Sequence, residues 1–492
     1  MKYLSLIVVA MMLAGTAQGM TKHLVKVRVF SQPIDEQSPW SQLPIKESSH
    51  VGVVVKPQEI MVPAYTVQAA RYLEVETFFS SKPIKARVYR VDSNAQLAIL
   101  KIDQTLDKLA PIPFGDDLGL NDRVQVLTVK QKRIVPLRST FRELKIRSSL
   151  LANYNLPHMA FEVKQQSVGW SEPIVRKNKL VGLSVRKEKN QIFALPISVI
   201  KRFLAAESES TSFGRLGIRF NRLTSTLLRK KIKLDREGQG VWVSEVSALS
   251  PFFGQVKESD VLLKLGGYAI SDKGTIREAR WGRIPLSGIV YRFQVGKKVP
   301  LELLRDGELI KVSMEMKPYE GSEDLIPFYG NYERKFLIYG GLVFQELTRN
   351  YLQSWGKSWM RRAPLPLLNR YFYGNQLEPN NLDQRIIILS KVLVDDWNKG
   401  YEDLKNQEII SINDKKVANL SSIRDALDKP LTKNDQQFTK INLGPRPQEL
   451  VLVHKDISAI HDRIAKVYAV PVSAFWKSQQ GSSDQGAEPE AN

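Results

Sequence analysis

After an apolar stretch at 4–14, the chain alternates between short apolar runs and turn residues. LVKVRVF (24–30), VGVVV (51–55), LEVETFF (73–79), KARVYRV (85–91), LAILKI (97–102) and VQVLTV (124–129) are alternating or rich in β-branched residues. Runs of this length, separated by turn residues, predict the strands of a β-barrel or sandwich. The pattern changes at PISVIKRFLAAE, which predicts a helix over 198–206, and the polar stretch ESESTS (207–212) reads as a linker.

A second unit spans 213–318, with strands predicted at GVWVSEV, DVLLKLGG, PLELLR and KVSMEM and a helix at PLSGIVYRFQ. Residues 319–333 read as another polar linker. A third unit, 334–476, repeats the second. GGLVF parallels RLGIRF, IIILSKVL parallels GVWVSEV, and LKNQEIISINDKKV parallels VKESDVLLKLGGYAI. Inside it lies RNYLQSWGKSWMRRAPLPLLNRYFYG, where Arg349, Lys357, Arg361, Arg362 and Arg370 occur with no acid between them. Tyr351, Trp355 and Trp359 recur every four residues, which predicts one shared helix face. Packing is the first reading of that face and an anionic membrane surface the second. The tail, 477–492, is of low complexity and predicted to be disordered.

A length of 492 residues accommodates about three domains of ~100–200 residues. Residues 1–19, MKYLSLIVVAMMLAGTAQG, have the lysine, apolar core and small terminal residues of a secretory signal peptide cleaved after Gly19. The expected location is therefore the periplasm or cell envelope of a bacterium. The chain has no cysteine, which rules out a disulfide framework, a thiol nucleophile and a Cys-based zinc site. No metal site and no cofactor are predicted. The net charge of +21 favours acidic partners. Export argues against nucleic acid and leaves acidic proteins or an anionic membrane surface.

Together these features resemble the HtrA/Deg family, an exported trypsin-like domain followed by two PDZ domains. The similarity is strongest to the branch whose second PDZ opens on an aromatic-Gly-Gly-Leu-Val-Phe motif and carries a helical insert. Here the motif is Tyr339, Gly340, Gly341, Leu342, Val343 and Phe344. The resemblance implies a mostly β chain: a double β-barrel domain at 20–206, a first PDZ at 213–318 and a second, PDZ-like domain at 334–476. It also implies a Ser-His-Asp triad, which this sequence replaces. "IMVPAYTV" puts Tyr65 at the histidine position, "NAQLAILKID" puts Gln96 at the aspartate position, and "SVGWSEP" puts Trp170 at the serine position. A phenol with pKa near 10 is a poor base at neutral pH, and an indole is no nucleophile. Ser171 with His50 is the fallback nucleophile and base, and the sequence gives it little support.

A PDZ domain captures an extended C-terminus as an added strand, with loop amides on the terminal carboxylate. In the first unit the resemblance assigns that loop to Gly214, Arg215, Leu216 and Gly217. Ile218 and Phe220 belong to the receiving strand, and Ile289, Val290 and Phe293 to a helix lining the pocket. In the second unit Val343 stands where glycine is favoured, so Gly340 to Phe344 is read as an assembly element. The expected protein is an oligomeric, trimer-based pseudoprotease that binds protein C-termini or extended peptides in a scaffold, chaperone-like or protease-regulating role. The alternatives are an active serine endopeptidase and a structural subunit of a mixed oligomer with an active paralogue.

Overall fold

Alternating side chains on a strand can bury one face only if the sheet closes or stacks on another. Five of the six apolar runs, joined by the segment 59–63, close into a first barrel, and the sixth, 124–129, belongs to a second. In the computed structural model, β1 (Leu24–Ser31), β2 (Lys46–Lys56), β3 (Glu59–Pro63), β4 (Ala70–Glu76), β5 (Ile84–Asp92) and β6 (Leu97–Ile102) form an antiparallel barrel in the order β1-β2-β3-β6-β5-β4. A second barrel follows from β7 (Arg123–Lys130), β8 (Arg133–Ser148), β9 (Asn155–Glu162), β10 (Pro173–Arg176), β11 (Lys179–Glu188) and β12 (Gln191–Pro196), ordered β10-β11-β12-β9-β8-β7. Helix α1 (Ile197–Leu204) ends this region, matching the predicted 198–206 to within the fraying of a terminus. Its apolar residues Val199, Ile200 and Phe203 are buried.

The structure describes residues 19–475 except 81, 106–107, 131–132, 153, 164–169, 207–212, 235–237, 320–323, 331–333, 374–382, 445–447 and 454–456. The expected signal peptide up to residue 18, the 207–212 linker and the 477–492 tail lie outside the described residues.

A third sheet contains β13 (Ile218–Arg222), β14 (Val241–Val246), β15 (Val261–Leu265), β16 (Tyr268–Ala269), β19 (Lys298–Arg305) and β20 (Glu308–Glu315). Its order is β13-β14-β15-β19-β20, with β16 on β15; β17 (Thr275–Glu278) and β18 (Gly282–Pro285) form a separate hairpin. The same order returns in a fourth sheet built on β21 (Phe336–Tyr339), β22 (Leu342–Glu346), β23 (Ile387–Val392), β24 (Gln407–Ile412), β25 (Lys415–Lys416), β26 (Leu431–Lys433), β27 (Gln436–Gly444) and β28 (Gln448–Val453). There β22-β23-β24-β27-β28 matches β13-β14-β15-β19-β20, and β25 on β24 matches β16 on β15. The internal repeat seen in the sequence is thus a repeat of sheet topology.

The repeats differ in what lies between their matched strands. Between β25 and β27 the later one has a helix, Leu420–Leu427, capped by Asn419, whereas the earlier has the β17–β18 hairpin. The helix expected over PLSGIVYRFQ is absent. Two single 3-10 turns, Leu286–Gly288 and Val290–Arg292, stand in its place. Gly288 approaches Ile146 of the second barrel so closely that a Cβ would lie 2.5 Å from its terminal methyl. A glycine followed by two β-branched residues also disfavours a continuous helix.

The chain divides into two compact units: one holds everything up to Gln32 plus Pro44–Gly321, the other Pro33–Leu43 plus Ser322 onward. In the first, the second barrel and the third sheet share one core that contains Phe141, Phe161, Leu216, Val241, Trp281 and Ile289. In the second, the excursion between β1 and β2 is part of the unit: Trp40 packs on Phe336, and Glu36 forms an ion pair with Arg334 at 2.6 Å. Nothing in the alternation of the sequence signalled that. Nor is 319–333 a solvated linker, because Tyr319 is buried in the first unit and Leu325, Ile326 and Phe328 in the second.

Candidate functional site

Turns next to barrel strands bring Tyr65 and Trp170 together. Tyr65 lies on the 3-10 turn Ala64–Val67 after β3, and Trp170 and Ser171 immediately precede β10. Tyr65 and Trp170 meet edge to face with ring centroids 5.5 Å apart, and His50 lies edge-on to Tyr65 at 6.0 Å. Burial, and secondarily the charge of Glu172, push the Tyr65 phenol well above its ordinary range. Its hydroxyl is buried with no hydrogen-bond partner among the described residues. A phenol held this firmly protonated cannot serve as a base.

The carboxylate of Glu172 decides what the backbone here can do. Its Oε2 accepts the Trp170 N–H at 2.8 Å, the Ser171 N–H at 3.1 Å and the Ser184 hydroxyl at 2.9 Å. Glu172 and Ser184 are both buried. In a trypsin-like site the N–H at the nucleophile position stabilises the oxyanion of the tetrahedral intermediate. Here that N–H is already satisfied by a fixed anion, which would also repel a developing negative charge. No signal in the sequence pointed to Glu172; it reads as the residue before a proline.

The fallback pair is not assembled. Ser171 is 3% exposed and its Oγ accepts from the Val51 N–H at 2.9 Å. His50 lies within β2, and its Nε2 pairs with Ser48 Oγ at 3.0 Å. Burial lowers the His50 imidazole to about 4.

Gln96 is turned away from Tyr65 and towards a histidine that sequence reasoning left unused. Its Nε2 lies 3.0 Å from His158 Nε2, while His158 Nδ1 lies 3.0 Å from the Leu156 carbonyl. A carbonyl only accepts, so the His158 proton is on Nδ1 and Nε2 accepts from the Gln96 amide. Burial, together with the nearby Arg147 and Arg186 charges, lowers this imidazole to about 4 despite the Leu156 bond. Because the folded value lies below the ~6.5 of an unfolded chain, unfolding takes up a proton between those limits. The stabilisation is complete above pH ~6.5 and disappears as pH falls towards 4, a change of about 3 kcal/mol. His158→Gln, which keeps an acceptor for Gln96, is expected to remove the His158 share of the slope in urea unfolding curves recorded at pH 7, 5.5 and 4, leaving the similar share of His50. An unchanged slope would assign the acid sensitivity to other groups.

The third sheet has an outer edge at β13. β13 lies at the end of the sheet order, and β14 is its one strand neighbour among the described residues. In the preceding loop, Gly214 O accepts from the Tyr154 hydroxyl at 2.9 Å and Leu216 O from the Ser250 hydroxyl at 2.6 Å. Gly217 has φ +63°, and the N–H groups of Leu216 and Gly217 have no acceptor among the described residues. Arg215 lies over the Tyr319 ring. The rings of Phe220 and Phe293 cover Gly274 and Gly266. Ile289 and Val290, expected to line a pocket, are instead buried in the core shared with the second barrel, because the turn at Gly288 directs them inward.

The fourth sheet is closed at the corresponding place. Gly340 and Gly341, with φ +54° and +90°, make a two-residue hairpin that pairs β21 with β22. Leu342, Val343 and Phe344 therefore have strand neighbours on both sides, β21 and β23. The Gly340 N–H donates to His461 Nε2 at 3.0 Å. The expected aromatic face of the insert is also divided. Short helices at Arg349–Gln353, Trp359–Arg362 and Leu365–Tyr373 replace one helix, with a break at Gly356. Tyr351 and Trp359 are buried separately: Tyr351 bonds to Asn406 at 2.7 Å and Trp359 packs on Tyr371. Among the described residues no group of three or more His, Cys, Asp or Glu is placed to hold a metal ion.

Two six-stranded antiparallel barrels followed by PDZ-type sheets define the class of trypsin-like proteases with C-terminal PDZ domains. A family model described as "PDZ domain" matches residues 329–475. The chain is 25% identical over 418 residues to Protease Do-like 4, mitochondrial, of Arabidopsis thaliana, an alignment covering 82% of this chain and 76% of the relative. It is 33% identical over 128 residues to the periplasmic serine endoprotease DegP of Escherichia coli (strain K12), covering 25% of this chain and 24% of that one. A solved HtrA-type protease, AlgWS227A with decapeptide, aligns with 62% of this chain and 97% of its own, at 16% identity and a TM-score of 0.48. The chain is a member of the HtrA/Deg family, a trypsin-like protease fold with a C-terminal PDZ domain.

Proposed function

We propose that this HtrA/Deg-family chain is an exported pseudoprotease whose activity is the binding of extended peptides or protein C-termini. The observation that carries this reading is the Glu172 carboxylate on the Trp170 and Ser171 N–H groups, beside the Tyr65–Trp170 contact. Nucleophile, base and oxyanion donor are all lost at the positions that would supply them. The peptide site is the outer edge of β13, which has no second strand neighbour among the described residues, with the Leu216 and Gly217 N–H groups directed to a terminal carboxylate. Side-chain selection there falls to Phe220 and Phe293, since Ile289 and Val290 are withdrawn. The domain at 334–476 assembles the oligomer rather than taking a peptide strand, because β22 has no free edge. Periplasmic residence fits the leader at 1–19 and the periplasmic DegP relative.

The test is a pair of measurements on the full chain. Casein turnover and fluorophosphonate labelling are expected at background, while anisotropy titration with a randomised C-terminal peptide pool is expected to yield binders. Phe220→Ala should weaken their affinity tenfold or more. Labelling that disappears in Ser171→Ala would overturn the pseudoprotease reading.

A further inference from the structure

The insert of the second unit carries an exposed surface that neither peptide binding nor the PDZ core uses. Three large apolar side chains stand in water: Met360 is 54% exposed, Leu365 67% and Phe372 50%. Leu365 and Phe372 are seven apart on the helix Leu365–Tyr373, so they share its outer face while Leu367 and Leu368 are buried on the inner one. Met360 lies on the helix Trp359–Arg362, and the Trp359–Tyr371 ring contact joins the two helices at 5.4 Å. Lys357, Arg361 and Arg362 are exposed around these residues. None has a carboxylate within 4.0 Å among the described residues, whereas Arg370 pairs with Glu408. No Asp or Glu occurs in the sequence between Glu346 and Glu378.

We propose that this patch is a docking surface for an anionic lipid bilayer, with Met360, Leu365 and Phe372 entering the headgroup–acyl boundary and Lys357, Arg361 and Arg362 facing lipid phosphates. Large apolar side chains beside cations match the two layers of such an interface. A second copy of the chain is a poorer occupant. A contact between copies, two-fold or heterologous as in a trimer, would set Lys357, Arg361 and Arg362 against a chain that is itself strongly basic. The overall charge of +21 adds attraction to an anionic bilayer at longer range.

Vesicle co-sedimentation of the full-length protein tests the proposal. Binding is expected to vesicles of phosphatidylglycerol and phosphatidylethanolamine (~30:70) and to be tenfold or more weaker to pure phosphatidylcholine. Leu365→Ser/Phe372→Ser should weaken binding to the anionic vesicles by about tenfold or more. Arg361→Gln/Arg362→Gln should do the same through charge, at about fivefold per residue. Because the chain has no cysteine, Phe372→Cys gives a single site for an environment-sensitive dye, whose emission should shift to the blue on anionic vesicles. Binding that survives the serine pair, or a dye that does not respond, would overturn insertion. So would a serine pair that changes sedimentation in solution, which would reveal a contact between copies, and an acidic protein that competes while vesicles fail to bind.

Discussion

Restoring the three triad residues alone is expected to leave the chain inactive. In Tyr65→His/Gln96→Asp/Trp170→Ser, the N–H at position 170 still faces the Glu172 carboxylate, which receives it at 2.8 Å in the present structure. Hydrolysis would require the oxyanion to form beside a fixed negative charge with its donor already engaged. Losing one such donor costs about 10²–10³ in rate. Adding Glu172→Gly to the triple variant should therefore raise fluorophosphonate labelling and casein turnover by about 10²–10³-fold. Equal rates in the triple and quadruple variants would show that Glu172 does not seal the site. Glu172→Gly in the unchanged chain should give no activity, since Tyr65 and Trp170 remain.

A second large effect is expected on stability. Trp281 is buried at the junction of the third sheet with the second barrel, and its Nε1–H donates to the Leu118 carbonyl at 3.0 Å. Trp281→Ala removes the largest side chain at that junction and leaves a buried carbonyl without its donor. The combined loss is about 3–5 kcal/mol, most of it from the cavity. Urea unfolding should show the transition of the first unit displaced by that amount, with the transition of the second unit unmoved. Trp281→Phe should recover part of the loss by refilling volume without restoring the bond. A loss below about 1 kcal/mol would mean that the third sheet is held to the barrel elsewhere.

Much of the fold was legible because it rests on local periodicity. Five strands of the first barrel, the first strand of the second, helix α1 and the repeated sheet order follow from alternation and turn residues at the predicted places, whereas β3 and β8 to β12 were not among the predicted runs. The expectations that failed depended on contacts distant in sequence. PLSGIVYRFQ has apolar residues enough for a helix, but Gly288 had to meet Ile146, and the segment became two turns. The spacing of Tyr351, Trp355 and Trp359 suited one helix face, yet Gly356 divides them and each buried ring found its own partner. Residues 33–43 carry no periodic signal, and Trp40 and Glu36 owe their burial to residues some 300 positions away.

The sequence by itself determined that Tyr65, Gln96 and Trp170 carry a phenol, an amide and an indole, groups that cannot form an acyl-transfer triad among themselves. It also determined the strand-rich architecture and the repeat, because alternation is written residue by residue. Only the tertiary structure decided that the Trp170 and Ser171 N–H groups are taken, because Glu172 folds back on them with Ser184 of β11 behind it. The same holds for the edges of the two sheets: both repeats carry a glycine-containing opening, but β21 covers β22 in the fourth sheet, and among the described residues no strand does this for β13 in the third. Strand pairing and hydrogen-bond saturation are properties of neighbours in space, and a linear pattern does not contain them.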